Sequence, residues 1–330
     1  MTTATETRSL KFWQGINQAL TEEMERDERV VLVGEDVARP GGPYGVTRGL
    51  LDKYGDVRVR DTPISEAVLV GLGVGGGAVG LRPIVEIMFF DFAMIAMDQI
   101  VNQAAKYRYF SGASLPLVIR TMAGAGGPNG AQHSQNFEAW YSAVPGLKVI
   151  MPSNSADAKG LLKAAIRDDD PVLFIETLGL LPVRCDVPVG EDYVEPIGVA
   201  KVRREGDDVT VVAIGRQVDR SLEAAERLAE EGVSVEVLDP RTLSPLDTDA
   251  IVESVRRTGR LVVAQEATSP YSFAAEVCAV AAESCLSELR SPPVRVTSPF
   301  INVPTPVPLA EARAPGVEDV IEGVRRAMGA

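Results

Sequence analysis

The sequence predicts an α/β protein of two domains, each a mainly parallel sheet covered by helices. Three observations carry that expectation. At 330 residues the chain exceeds the size at which one hydrophobic core usually keeps growing, so two domains are favoured over one. Short unbroken apolar runs such as Val30-Val31-Leu32-Val33 and Val209-Thr210-Val211-Val212-Ala213-Ile214 have the composition of strands buried on both faces, as in parallel sheets. These runs alternate with segments of helical periodicity in two blocks, parted by a stretch rich in prolines and acids, as a linker would be. The expected division is a flexible N-terminus (1–9), a first domain (10–180), a linker (181–205) and a second domain (206–330).

Composition narrows the function classes. The balance of 33 Lys and Arg against 46 Asp and Glu gives a net charge of −13, which argues against nucleic acid or anionic lipid as partner. Hydrophobic residues at 45% and charged residues at 24% are ordinary for a globular chain. Cys185, Cys278 and Cys285 are odd in number and lack the paired spacing of a zinc site, so they are expected as small hydrophobes in a reducing compartment. The N-terminus is polar, with no apolar signal core, and no uncharged run approaches a membrane span; the expected location is the cytoplasm.

In chain order, residues 10–26 have helical spacing and 30–33 form a strand. Residues 39–45, Arg-Pro-Gly-Gly-Pro-Tyr-Gly, form a loop, 49–54 a short helix and 57–60 a second strand. Asp61-Thr62-Pro63-Ile64-Ser65-Glu66 then places one carboxylate, Glu66, at the mouth of an apolar, glycine-studded helix that runs towards Gly80. Glycine costs a helix about 1 kcal/mol relative to alanine, so the pairs Gly71/Gly75, Gly73/Gly77 and Gly76/Gly80 point to close packing on a smooth face. Gly71-x-Gly73-x-x-Gly76 also matches a dinucleotide fingerprint, but that motif must follow its strand at once and open the helix. Here the glycines lie inside the helix, which argues against a nicotinamide-dependent oxidoreductase.

Residues 84–90 are the next strand and 92–109 a helix; 115–120 is a strand leading into a mobile glycine loop, 123–130, that lacks a P-loop ending. Directly after it stands His133, the only histidine, within Gln132-His133-Ser134-Gln135. A histidine between a glycine loop and amide side chains suits proton transfer. With no second histidine or nearby cysteine it builds no conventional zinc site, and no nucleophile elbow accompanies it. A strand (147–150), a helix (155–167) and a strand (171–176) close the first domain. In the second, strands at 209–215, 233–238, 261–264 and 294–296 alternate with helices at 218–231, 247–258, 273–284 and 317–328.

Several stretches resemble one family: Asp61-Thr62-Pro63-Ile64-Ser65-Glu66, Arg82-Pro83-Ile84-Val85-Glu86-Ile87-Met88, Asp98-Gln99-Ile100-Val101-Asn102-Gln103-Ala104-Ala105-Lys106, Gln132-His133-Ser134-Gln135 and Pro145-Gly146-Leu147-Lys148-Val149. That family is the β subunit of the thiamine-diphosphate-dependent E1 component of 2-oxo acid dehydrogenase complexes. The resemblance implies a transketolase-like pyrimidine-binding domain followed by a transketolase C-terminal domain. It implies that Glu66 hydrogen-bonds N1′ of the aminopyrimidine, that Ile64, Met88 and Phe92 help bind the cofactor, and that His133 assists acyl transfer to a lipoyl arm. It also implies a structural potassium site at Leu117, Ala165, Ile166, Asp168 and Asp170, with Asp170 standing where the family often has asparagine.

No Gly-Asp-Gly diphosphate motif occurs in the chain. The resemblance accounts for this: a separate α subunit supplies magnesium and diphosphate binding, in an α2β2 assembly that acts on a 2-oxo acid and acylates the lipoyl domain of E2. Pyruvate oxidation or acetoin cleavage is the leading expectation and branched-chain 2-oxo acid oxidation the second. A noncatalytic scaffold of the same fold would need neither Glu66 nor His133.

Overall fold

A computed structural model of the chain describes residues 6–125, 129–190 and 193–329. Parts of the expected flexible N-terminus (1–5), mobile loop (126–128) and linker (191 and 192) therefore lie outside the described residues. The first block runs β1 (Thr7–Lys11), α1 (Phe12–Arg26), β2 (Val30–Gly34), α2 (Leu50–Tyr54), β3 (Val59–Asp61), α3 (Glu66–Ala78), β4 (Arg82–Phe89), α4 (Tyr107–Ser111), β5 (Val118–Ala123), α5 (Glu138–Ser142), β6 (Lys148–Ile150), α6 (Ser155–Arg167), β7 (Val172–Thr177) and β8 (Arg184–Pro188). The second runs β9 (Lys201–Arg204), β10 (Val209–Ala213), α7 (Gln217–Glu230), β11 (Val235–Asp239), β12 (Thr242–Ser244), α8 (Thr248–Thr258), β13 (Leu261–Thr268), α9 (Phe273–Cys285), β14 (Val294–Ser298), α10 (Val307–Arg313) and α11 (Val317–Met328).

Two sheets organise the molecule. The larger has the order β12-β6-β7-β5-β4-β2-β3 and the smaller β14-β13-β10-β11-β9. Both are parallel except for one edge strand each: β12 runs antiparallel to β6, and β9 antiparallel to β11. Every residue of β5, β7, β10 and β11 is buried, as expected for strands covered on both faces, so these strands are mostly apolar and their few polar side chains are buried too. Helix α1 crosses α6 so closely that a Cβ on Gly15 would stand 2.5 Å from the Ser155 carbonyl oxygen; only glycine fits there.

Charge sits inside this core where it is paired. Arg120 on β5 reaches Glu86 on β4 (Nη1 to Oε2, 2.7 Å) and Glu176 on β7 (Nε to Oε1, 2.8 Å), and all three are buried. Burial pushes the Glu176 carboxyl up to about 7, with Arg120 opposing that rise. Between the domains, Arg241 Nη1 donates to Asp157 (3.1 Å) and Glu195 (2.7 Å), and Ser153 Oγ donates to Asp239 (2.6 Å).

The structure departs from the sequence reading in three places. Residues 7–9, expected in a flexible terminus, belong to β1, which pairs with β8. Its side chains are mostly exposed, so backbone pairing forms a strand that hydrophobic patterning does not reveal. The expected linker contains β8 and β9, polar edge strands of the same kind. The expected helix at 92–109 is divided into a 3-10 turn (Phe90–Met94), a π turn (Gln99–Ala104) and α4.

Candidate active site

Ligand sites in parallel sheets form outside the carboxyl ends of the strands, and in the first domain those of β2, β3, β4 and β5 bring together the residues singled out above. β3 ends at Asp61, whose carboxylate accepts the backbone N–H of Ala38 (2.7 Å) and of Arg39 (3.3 Å). This ties the loop after β2 to the turn that enters α3. Glu66 is the first residue of α3 and is 5% exposed. A carboxylate in the first turn of a helix is favoured by the unsatisfied N–H groups there. Glu35, just beyond β2, has its carboxyl pushed up by burial and by the charge of Glu66, so two acids face each other at this edge.

β4 delivers the other wall. Met88 and Phe92 are half-buried against the core. The His133 ring packs against two aromatic rings, Phe89 at 5.0 Å and 89° and Phe92 at 5.2 Å and 86°, which are themselves 6.4 Å apart, so the three form one edge-to-face cluster. Asp91, buried between these phenylalanines, accepts Gln135 Nε2 at 2.6 Å and the Gln135 backbone N–H at 3.4 Å. The segment carrying His133 is thereby fixed on its C-terminal side. Ile64, by contrast, is 80% exposed on the turn into α3.

The residues assigned to a cation form a separate neighbourhood. The Ile166 and Asp168 carbonyl oxygens both accept Arg82 Nη1 at 3.0 Å, the Leu117 carbonyl accepts Val172 N–H at 2.8 Å, and that of Ala165 accepts Asp168 N–H at 3.3 Å. The Asp168 carboxylate is held by Lys148 Nζ at 2.7 and 2.6 Å, and Asp170 pairs with Arg108. Among the described residues no group of three or more His, Cys, Asp or Glu side chains is disposed to hold a metal ion.

Residues 8–184 match the family Transketolase, pyrimidine binding domain, and residues 198–320 match Transketolase, C-terminal domain. The chain is 45% identical to Pyruvate dehydrogenase E1 component subunit beta-1, mitochondrial, of Arabidopsis thaliana, over 94% of this chain and 87% of that one. It is 46% identical to 2-oxoisovalerate dehydrogenase subunit beta of Bacillus subtilis (strain 168), over 88% and 90% of the two chains. The chain belongs to the E1 β-subunit family. The Acetoin:2,6-dichlorophenolindophenol oxidoreductase subunit beta of the same Bacillus is 43% identical over 98% of each chain. A solved structure titled "Split gene transketolase, inactive beta4 tetramer" superposes with a TM-score of 0.79 at 26% identity, covering 97% of this chain and 99% of that one. The two-domain transketolase-like α/β fold expected from the sequence is thus shown.

In this E1 β subunit Glu66, Met88, Phe92 and His133 lie at or after the carboxyl ends of β3, β4 and β5, and Ile64 is exposed. Sequence reasoning missed Glu35, Phe89 and Asp91. The acidic pair Glu35-Asp36 closing a buried strand was a usable signal for the first. Nothing local marks Asp91, whose role depends on a residue 44 positions away.

Proposed function

We propose that this subunit, joined to an α subunit in an α2β2 assembly, completes a thiamine-diphosphate site, decarboxylates a short 2-oxo acid and passes the acyl unit to the lipoyl domain of E2. The observation that carries the reading is that the buried Glu66 carboxylate and the His133 imidazole, packed on Phe89 and Phe92, both follow the carboxyl ends of strands of one sheet. Once bound, the cofactor supplies a carbon nucleophile and the electron sink for decarboxylation. The protein groups fit that chemistry. Glu66 is a hydrogen-bonding carboxylate for a weakly basic ring nitrogen, held in a low-dielectric site where the interaction is strong. Met88 and Phe92 offer an apolar wall to a flat heterocycle. His133 exchanges a proton with the acyl-bearing group as it passes to the lipoyl sulfur.

The chain offers half of a site. Magnesium and diphosphate are held by the α subunit in this reading. The outer face of α3 and its entry turn bears Ile64, Val68, Leu72 and Val79 at 80, 60, 55 and 81% exposure. A contiguous apolar stripe of this kind marks a subunit interface. At the potassium site, Arg108 offsets the Asp170 carboxylate, which leaves the charge near that of a site with asparagine there. No helix among the described residues is long and apolar enough to cross a membrane.

Pyruvate and acetoin are the leading substrates, with branched-chain 2-oxo acids second. Co-purification with the native α partner, followed by assay of pyruvate, acetoin and branched-chain 2-oxo acids with added thiamine diphosphate, tests the reading. Turnover of one of these is expected, and no turnover by a fully assembled, cofactor-loaded complex would reject it.

A further inference from the structure

The second domain has a ligand crevice of its own, by topology. In a doubly wound sheet that crevice opens where neighbouring strands send their connections in opposite directions. Here β10 continues through α7 to β11 on one side, while β13 continues through α9 to β14 on the other. The carboxyl ends of β10 and β13 therefore flank the switch point, where Gly215, Arg216 and Glu266 lie.

The first domain occupies this place. The backbone N–H of Ala125, just past the end of β5, donates to Glu266 Oε1 at 2.7 Å, and Glu266 is only 4% exposed. Gly124, at φ +84°, lies so near that an added Cβ would be 3.2 Å from the same oxygen. Gly179 covers Arg216, with a Cβ there 2.9 Å from Arg216 Cδ, and Gly215 faces Thr177 and Met151. Arg216 Nη2 stands 3.5 Å from Glu266 Oε1, while Arg216 Nη1 is held by Glu311 at 3.1 and 3.0 Å. The second domain reaches the same loop again further on, where a Cβ on Gly130 would be 2.6 Å from Thr305 Oγ1. Three residues later comes His133.

We infer that Glu266 is a positioning residue for His133: its carboxylate, set at the switch point of the second domain, anchors the end of β5 by accepting the Ala125 N–H, eight positions before His133. Asp91 holds Gln135, two positions after His133, so the chain has a carboxylate anchor on either side of the imidazole, one from each domain. A crevice that serves other sheets of this kind as a ligand site serves here as the seat of a catalytic loop. The catalytic part of this inference rests on the role proposed above for His133; the structural part does not.

The test is amide hydrogen exchange on the assembled protein, read at Ala125 and across residues 129–135, for Glu266→Ala and Glu266→Gln. The alanine variant is expected to speed exchange there at least tenfold while β5 stays protected. The glutamine variant, which keeps an acceptor oxygen, is expected to restore most of the protection. Gly124→Ala crowds the same contact from the other domain and should speed the same amides, which covers the case in which Glu266→Ala fails to fold. Unchanged exchange at Ala125 in both the Glu266→Ala and Gly124→Ala proteins would overturn the anchor. In the assembled enzyme Glu266→Ala should also lose lipoyl acylation more than decarboxylation with a dye acceptor, with Glu266→Gln recovering the difference; equal losses in the two would overturn the link to His133. Exchange remains readable whatever reaction the assembly performs, so failure of the proposed activity and failure of the anchor are told apart.

Discussion

Glu138 opens α5 five positions after His133, is 1% exposed, and has neither carboxylate oxygen hydrogen-bonded. Burial, with the charge of Glu266 added, pushes its carboxyl up to about 7 from an ordinary value of 4.5. The sign of the consequence follows from linkage. Between those values the folded state keeps a proton that the unfolded chain has lost, so the contribution of Glu138 to stability is fully present below pH 4.5 and is lost as pH rises through 7. A shift of this size corresponds to about 3 kcal/mol. Wild type and Glu138→Gln, unfolded in denaturant at pH 5 and at pH 8, should therefore diverge: the wild type is expected to lose about 2 kcal/mol relative to the variant on going to the higher pH, most of the full effect, and parallel behaviour would show that Glu138 is ionised in the fold throughout. Glu66 and His133 could be proposed from the sequence because each stands in a local motif. Glu138, Glu266 and Asp91 could not, because what burial and neighbouring strands do to a carboxylate depends on residues brought together only by the fold.

Helix α3 has two faces with different surroundings. Its glycines were legible as a device for close packing, but the sequence did not show that they divide between two faces. Gly73 faces inward, where a Cβ would stand 2.7 Å from Val85 Cγ2 and 2.8 Å from Leu117 Cδ1. Gly75 faces outward, with nothing within 4 Å. Gly73→Ala is expected to destabilise the chain by about 1–3 kcal/mol through overpacking, against a gain of up to about 1 kcal/mol in helix propensity. Gly75→Ala collects the gain without the clash, and Gly75→Leu should leave the fold intact while weakening assembly with the α subunit in sedimentation. Equal stability for the two alanine variants, or an unchanged oligomer for Gly75→Leu, would contradict this division. The region after β4 was read as one helix because its apolar spacing is helical throughout. The π turn at Gln99–Ala104 comes from a local shift in backbone hydrogen bonding that side-chain spacing does not encode, and such turns recur near functional sites.

At the scale of the molecule, the two domains were legible as two blocks of alternating strand and helix, and their interdependence was not. β12, from the second block, pairs with β6 at the edge of the first sheet, and Arg241 and Glu266 reach across to Asp157 and Ala125. These are pairings between residues 84 and 141 positions apart, and nothing in local pattern announces them. The proposed function belongs to the same scale: it takes a buried acid at a helix start, a histidine packed on two aromatic rings and an exposed apolar helix face as one half of a shared site. The most direct measurement is dye-linked decarboxylation by the purified α2β2 assembly carrying Glu66→Gln, with its oligomeric state checked in parallel. A fall of at least 10²-fold, the scale of a lost acid–base group, with the assembly intact is the predicted result, and near wild-type turnover would contradict the account.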